Sequence, residues 1–205
     1  MPLEIFETIE QGSQPWHAIR AGIPTASRFS DMMAEGKGIS RKKYMRQLAG
    51  ERITGVVEEG YKSKAMERGS AFEDEIRRTY ALLNDCDPRR IGFAKNFNAG
   101  CSPDSLVADD GGAEFKSAEQ HVMVETIERA LADKAYFPSE HVAQVQGNLW
   151  VMERRWWDLV IYCPGLPTFI RRAQRDVQKI AEISAGVTLF NRDVAALVDL
   201  IRGFK

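Results

Sequence analysis

The sequence predicts an α/β domain with a central mixed β-sheet flanked by α-helices. Three observations predict it. Helical and strand-like stretches alternate along the 205 residues, which favours layered α/β packing. Trp156–Tyr162 is aromatic and β-branched, the composition of a buried strand. Residues 101–118 hold two short apolar stretches around Asp109-Asp110-Gly111-Gly112, a turn signal between strands.

The remaining elements follow in order. A helix over 44–54 comes after a loop marked by Gly36 and Gly38, and a longer helix over 64–83 stops near Asn84 and Pro88. Residues 91–98 read as a short strand and 122–131 as a helix. Pro138 suits the first turn of a helix running to about residue 154. Helices over 171–185 and 191–202, with Gly186 between them, close the chain. There is no internal repeat, low-complexity tract or linker, so residues 1–205 are expected to form a single domain. Trp150, Trp156 and Trp157 are expected in its core.

Hydrophobic residues make up 44% and charged residues 28%, an ordinary globular composition. No apolar run approaches the roughly 20 residues a membrane helix needs. Met1-Pro2-Leu3-Glu4 lacks the order of a signal peptide, so a cytoplasmic location is expected. Cys86, Cys101 and Cys163 are far apart without a CxxC, and His17, His121 and His141 stand alone. That argues against a disulfide framework or a structural zinc site. The net charge of -1 does not announce a nucleic-acid binder. Arg41-Lys42-Lys43, Arg77-Arg78, Arg89-Arg90, Arg154-Arg155 and Arg171-Arg172 are nevertheless clustered, and a near-neutral total can hide a basic groove. A solvated helix face is the plainer reading of each cluster.

The hairpin carries the chemistry. A three-residue loop, Asp109-Asp110-Gly111, places Gly111 where positive φ is needed. Ala108 then pairs with Gly112, Leu106 with Glu114 and Asp104 with Lys116. Asp104, Glu114 and Lys116 share one face, with Asp104 and Glu114 diagonal at roughly 7–8 Å between backbones. Ser105, Val107, Ala113 and Phe115 take the other, core-facing side. Two hard carboxylates suit Mg²⁺. Such an ion polarises a phosphate and lowers the pKa of water, while a lysine can orient that water or neutralise developing charge. A surface hairpin with an Asp–Lys cross-strand pair is the alternative.

Pro103-Asp104 followed by Glu114-Phe115-Lys116 has the PD…ExK form of restriction-endonuclease-like nucleases. Other blocks accompany it in order: Glu10-Gln11-Gly12 with Trp16-His17-Ala18-Ile19-Arg20, Thr25-Ala26-Ser27, Arg68-Gly69 with Phe72-Glu73, Cys101-Ser102, and Ala143-Gln144-Val145-Gln146. Together they resemble the phage lambda exonuclease and YqaJ-type viral recombinase family; residues beyond Trp150 carry no specific match. The resemblance implies a restriction-endonuclease-like core across a single nuclease domain. It implies an Mg²⁺-dependent exonuclease, with Mn²⁺ as a substitute and one or two ions per site. The enzyme would digest one strand of linear duplex DNA from its 5′ end, leaving 3′ tails. A homotrimeric ring, a single-strand annealing protein as partner, and a phage or prophage origin in a bacterial host are implied with it.

The resemblance also implies residue roles. Asp104 and Glu114 match metal-binding carboxylates and Lys116 the catalytic lysine. Glu73 matches a further metal-site carboxylate; it borders the Phe72/Ile76 stripe, where a solvated face is the alternative. Gln144 and Gln146 differ by about 200° around a helix, so only one can face the site. Gln146, flanked by Val142, Leu149 and Trp150, is taken as the site residue against a buried structural glutamine. Gln144 is expected behind the site or at the surface. Arg20, Ser27 and Ser102 match residues that hold the 5′-phosphate, for which a guanidinium fork is suited. Trp16 is a candidate for stacking on a base and Met66 for strand separation; core or helix-stripe packing is the alternative for both. The family's phosphate-binding arginine after the lysine has no counterpart in Ser117-Ala118-Glu119-Gln120-His121, where His121 is the possible stand-in. An endonuclease or junction resolvase on the same core, and a module without activity, are the competing readings.

Overall fold

The computed structural model describes residues 2–34, 38–57 and 64–204. Strands β1 (Glu4–Phe6), β2 (Phe93–Asn96) and β3 (Ala99–Cys101) form an antiparallel sheet in that order. Strands β4 (Ser105–Val107), β5 (Gly111–Ser117), β6 (Trp156–Tyr162) and β7 (Phe169–Gln174) form a second sheet, in which only β5 and β6 run parallel. The mixed sheet is therefore present as expected. A parallel pair requires a long crossover. Here α5 (Gln120–Ala132) and α6 (Ser139–Val151) supply it.

Near the N-terminus, α1 (Gln14–Arg20) is capped by the Ser13 hydroxyl, which accepts from Trp16 N–H, with Pro15 in the first turn. A 3-10 turn, Ala26–Arg28, leads into α2 (Phe29–Met33). Next, α3 (Ile39–Thr54) ends at Gly55, whose φ of 72° closes the helix without a Cβ penalty. Helix α4 (Lys64–Asn84) covers one face of the second sheet. There Ile76 and Tyr80 pack on Val107, Ala113, Phe115 and Val160. The opposite face packs with α6, α2, α3 and α7 (Val177–Arg202) around Phe29, Leu48, Leu149, Trp157 and Phe190. Met123 of α5 closes a third cluster with Leu159, Ile161 and Phe169.

Several elements differ from expectation. The strand over 91–98 breaks at Phe97 and Asn98, with φ of 50° and 59°, and the chain returns as β3. Helix α3 begins at Ile39 because Gly38 takes the N-cap, ahead of Tyr44 where the buried stripe starts. Helix α6 ends at Val151, since Glu153 enters the left-handed region with φ of 55°. Residues 171–174 belong to β7, where Arg172 pairs with Asp158 of β6. Gly186 does not split the last helix. Its interior cost of about 1 kcal/mol is small beside the continuous stripe Ile180, Ile183, Val187, Phe190, Val194 and Val198. Gly36 lies outside the described residues. Cys101 and Cys163 are buried, Cys86 half-buried, and all three are free thiols. Among the described residues no helix is long and apolar enough to cross a membrane.

Candidate active site

The hairpin has a three-residue loop, one residue earlier than predicted. Val107 pairs with Gly111, Leu106 with Gly112 and Ser105 with Ala113, so the loop is Ala108-Asp109-Asp110. Ala108, not Gly111, carries the positive φ, at 48°. Gly111 is required for a different reason: a Cβ there would lie 2.0 Å from the Trp156 ring. Moving the loop by one residue while keeping its length changes partners but not faces. Asp104, one residue before the ladder begins at Ser105, is therefore aligned with Glu114 instead of Lys116. Ser105, Val107, Ala113 and Phe115 still face the α4 side.

Strand β5 buries Glu114 at 3% exposure, so its carboxylate needs protein donors. It has three. Lys116 Nζ donates to Oε1 at 2.7 Å, Gln144 Nε2 to Oε1 at 2.5 Å and Asn148 Nδ2 to Oε2 at 3.0 Å. The half-buried Asp104 bends back so that its Oδ2 accepts from Phe115 N–H at 2.6 Å. Burial pushes the Asp104 carboxyl well above the usual carboxylate range and the neighbouring Glu114 pushes it further; Lys116 offsets only part of this. Burial alone would lower the Lys116 ammonium, but Glu114 and Asp104 outweigh it and hold it above its ordinary value. His141 is lowered by burial and by the nearby Lys116.

Gln146 does not reach these carboxylates. Its Nε2 donates to Gln174 carbonyl oxygen at 2.9 Å and its Oε1 accepts from Asp176 N–H at 2.9 Å. It joins α6 to the β7–α7 connection, the buried structural role. Gln144, expected behind the site or at the surface, occupies the site. The apolar neighbours that singled out Gln146 report burial, not the direction of the carboxylates. The signal for the right face was Asn148 at i+4 from Gln144, a second amide on the same helix face.

Glu73 stands on α4 with its Oε1 bonded to Arg77 Nη2 at 2.7 Å, and its charge is felt at Asp104. Among the described residues no group of three His, Cys, Asp or Glu side chains closes around one point, so Asp104, Glu114 and Glu73 are neighbours, not a finished cage. Their chemistry still fits a hard divalent cation. They are oxygen donors, and burial, with the charge of Glu114 added, raises the Asp104 carboxyl, a cost that such an ion would relieve. Asp104 and Glu114 would be the inner ligands, with Glu73 at the α4 edge.

The predicted phosphate residues are partly gathered. Trp16 Nε1 donates to Ser102 Oγ at 3.0 Å, two residues before Asp104, and to Gly92 carbonyl oxygen at 3.1 Å. The Arg20 guanidinium lies over the Trp16 ring, 3.8 Å from its centroid. Trp16 is thus a platform for Arg20. Burial lowers the Arg20 pKa, and Tyr44 and Glu51 oppose that; a guanidinium stays charged regardless. Ser27 is exposed in the 3-10 turn, its hydroxyl 3.5 Å from that of Thr25, while Thr25 N–H donates to Tyr44 Oη at 3.0 Å. His121 is not brought in: it is 76% exposed and its charged neighbour is Glu119, 3.7 Å away. The side chain of Met66 lies outside the described residues.

A PD…ExK hairpin with two crowded carboxylates and a lysine, seated on a mixed sheet, defines a nuclease. The chain belongs to the YqaJ-like viral recombinase domain family, whose profile matches residues 15–155. It is similar to LHK-Exo, an alkaline exonuclease from Laribacter hongkongensis, at 31% identity over 93% of this chain and 96% of that one, with a TM-score of 0.82. Against LHK-Exo in complex with dAMP the TM-score is 0.83 at the same identity and coverage. A phage related exonuclease from Haemophilus somnus 129PT shares the fold at 14% identity, TM-score 0.65, over 87% of this chain and 96% of that one. Comparison with curated proteins finds no match. The chain is a DNA nuclease.

Proposed function

We propose that this chain, as a single nuclease domain over residues 1–205, is an Mg²⁺-dependent exonuclease. It removes nucleotides from the 5′ end of one strand of linear double-stranded DNA and leaves 3′ tails. The observation that carries the reading is the short link from the carboxylates to a cation. Asp104 is two residues from Ser102, Ser102 is bonded to Trp16, and Trp16 carries Arg20. A terminal phosphate held by Arg20, Ser27 and Ser102 would set the adjacent phosphodiester beside Asp104. Such a pocket closes one end of the groove, which suits an exonuclease and not an endonuclease. That LHK-Exo forms a complex with dAMP is consistent with a relative that handles mononucleotides.

Asp104 and Glu114 would hold Mg²⁺, or Mn²⁺ in its place, as one or two ions with Glu73. Such an ion, when bound, stabilises charge on the phosphate and makes a water acidic enough to attack. Lys116 neutralises charge that develops on the phosphate. Gln144 and Asn148 hold both oxygens of Glu114 in place. Three copies would form a ring around DNA, which explains how a chain of net charge -1 stays on a polyanion. A single-strand annealing protein would take the 3′ tail, in the cytoplasm of a bacterial host carrying the phage or prophage.

The test is digestion with Mg²⁺ of linear duplex, with and without a 5′-phosphate, beside a covalently closed circle. Loss of mononucleotides from the 5′-phosphorylated linear strand alone is the expected result. Comparable cutting of the circle would make this an endonuclease. A monomer by light scattering at working concentrations would remove the ring.

A further inference from the structure

Arg77 has more partners at the site than any ordinary helix-surface arginine needs. Its side chain is 11% exposed. Nε donates to Ser105 Oγ at 2.9 Å and Nη1 to Asp74 Oδ1 at 3.1 Å. Nη2 alone serves both sides of the site: it donates to Glu73 Oε1 at 2.7 Å and to the Asp104 carbonyl oxygen at 2.7 Å. Ser105 Oγ also donates to that carbonyl, at 2.7 Å. The guanidinium sits 5.5 Å from the centroid of the Phe115 ring, whose backbone N–H holds Asp104 Oδ2.

Two elements distant in sequence supply the carboxylates, α4 and the β4–β5 hairpin. Nothing covalent sets Glu73 relative to Asp104. Asp104 itself lies outside the β4 ladder, which begins at Ser105, so its backbone is not held by strand pairing. We propose that Arg77 is the positioning residue of the metal site: one planar guanidinium fixes Glu73 of α4 and the backbone of Asp104 in a single arrangement. This rests on the metal-dependent reading above. Glu73 Oε2 is the oxygen that Arg77 leaves for an ion. Lysine would keep the charge but not the fork, because an ammonium cannot span Ser105, Asp104 and Glu73 with planar geometry.

Charge and geometry oppose one another here, and that makes the proposal decidable. As a nearby cation, Arg77 repels a divalent ion; as an anchor, it prepares the ligands. The experiment is calorimetric titration of Mn²⁺ into the metal-free protein, comparing wild type, Arg77→Lys, Arg77→Met and Glu73→Gln, with the Arg77→Lys/Glu73→Gln double variant. Both Arg77 variants are expected to weaken Mn²⁺ binding by about 10–100-fold, the scale of losing a group that orients a ligand. The double variant is expected to bind less weakly than the two single effects added together predict, because one acts through the other. Unchanged or tighter Mn²⁺ binding by folded Arg77→Lys would overturn the proposal, as would full additivity with Glu73→Gln. Wild type that takes up no Mn²⁺ would instead overturn the metal-dependent reading itself. Arg77→Lys keeps charge and volume close to native, so it answers the question even where Arg77→Met does not fold.

Discussion

Asn148 Nδ2 donates to Glu114 Oε2 at 3.0 Å inside the core, one helical turn beyond the Gln144 amide that donates to Oε1 at 2.5 Å. The two amides hold both oxygens of one buried carboxylate from a single face of α6. Removing one leaves an uncompensated lone pair in a dry place. Asn148→Ala should cost about 1–3 kcal/mol of stability, read by urea unfolding of the metal-free protein. An unchanged midpoint would mean that Glu114 does not depend on Asn148.

The two glutamines of α6 should separate cleanly. Gln144→Ala should lower kcat by about tenfold or more, the scale for a group that orients a metal ligand. Gln146→Ala loses the bonds to Gln174 and Asp176 and should cost about 1–3 kcal/mol while kcat stays near wild type. Steady-state digestion beside thermal melts of both variants checks this, and the reverse pattern would restore Gln146 to the site.

Asp104 predicts a pH dependence with a definite sign. Its folded pKa lies above its unfolded value, so within that window the folded protein binds more protons than the unfolded chain. Stability of the metal-free protein therefore falls as pH rises through the window. A divalent ion needs the ionised carboxylate, so its affinity rises with pH over the same range. The melting-temperature gain caused by Mn²⁺ should grow from acid to neutral pH and vanish in Asp104→Asn. A gain independent of pH in wild type would contradict the raised carboxyl.

Three backbone positions test the geometry. Ala108→Gly should stabilise by about 1 kcal/mol by relieving a left-handed alanine. Gly186→Ala should stabilise by about 1 kcal/mol, because its new Cβ makes ordinary contacts with the movable Met32 terminus at 3.4 Å and with Met33 Cγ at 3.6 Å. Gly111→Ala should destabilise by about 1–3 kcal/mol or fail to fold, since its Cβ overlaps the Trp156 ring. Melting temperatures of the three variants decide these signs.

Arg20→Gln should abolish the preference for 5′-phosphorylated ends while leaving the carboxylates untouched. His121→Ala should leave that preference unchanged, because His121 is exposed beside Glu119. Competition between phosphorylated and hydroxyl-ended duplexes measures both.

The α/β class, β6 to its last residue, the bounds of α4 to within one residue, and the two faces of the hairpin were legible in the chain. These depend on local periodicity and on turn chemistry, which neighbouring residues carry themselves. The PD…ExK spacing placed Asp104, Glu114 and Lys116 together for the same reason: a short hairpin leaves little freedom. Tertiary structure decided the rest. Whether Gly186 breaks a helix depended on the buried stripe of α7 outweighing a small local cost. Which glutamine of α6 turns to Glu114 depended on how that helix rolls against β5, and its own apolar neighbours cannot report that. Arg77 reached Asp104 and Ser105, and Asn148 reached Glu114, across elements distant in sequence that meet when the sheet and its helices pack.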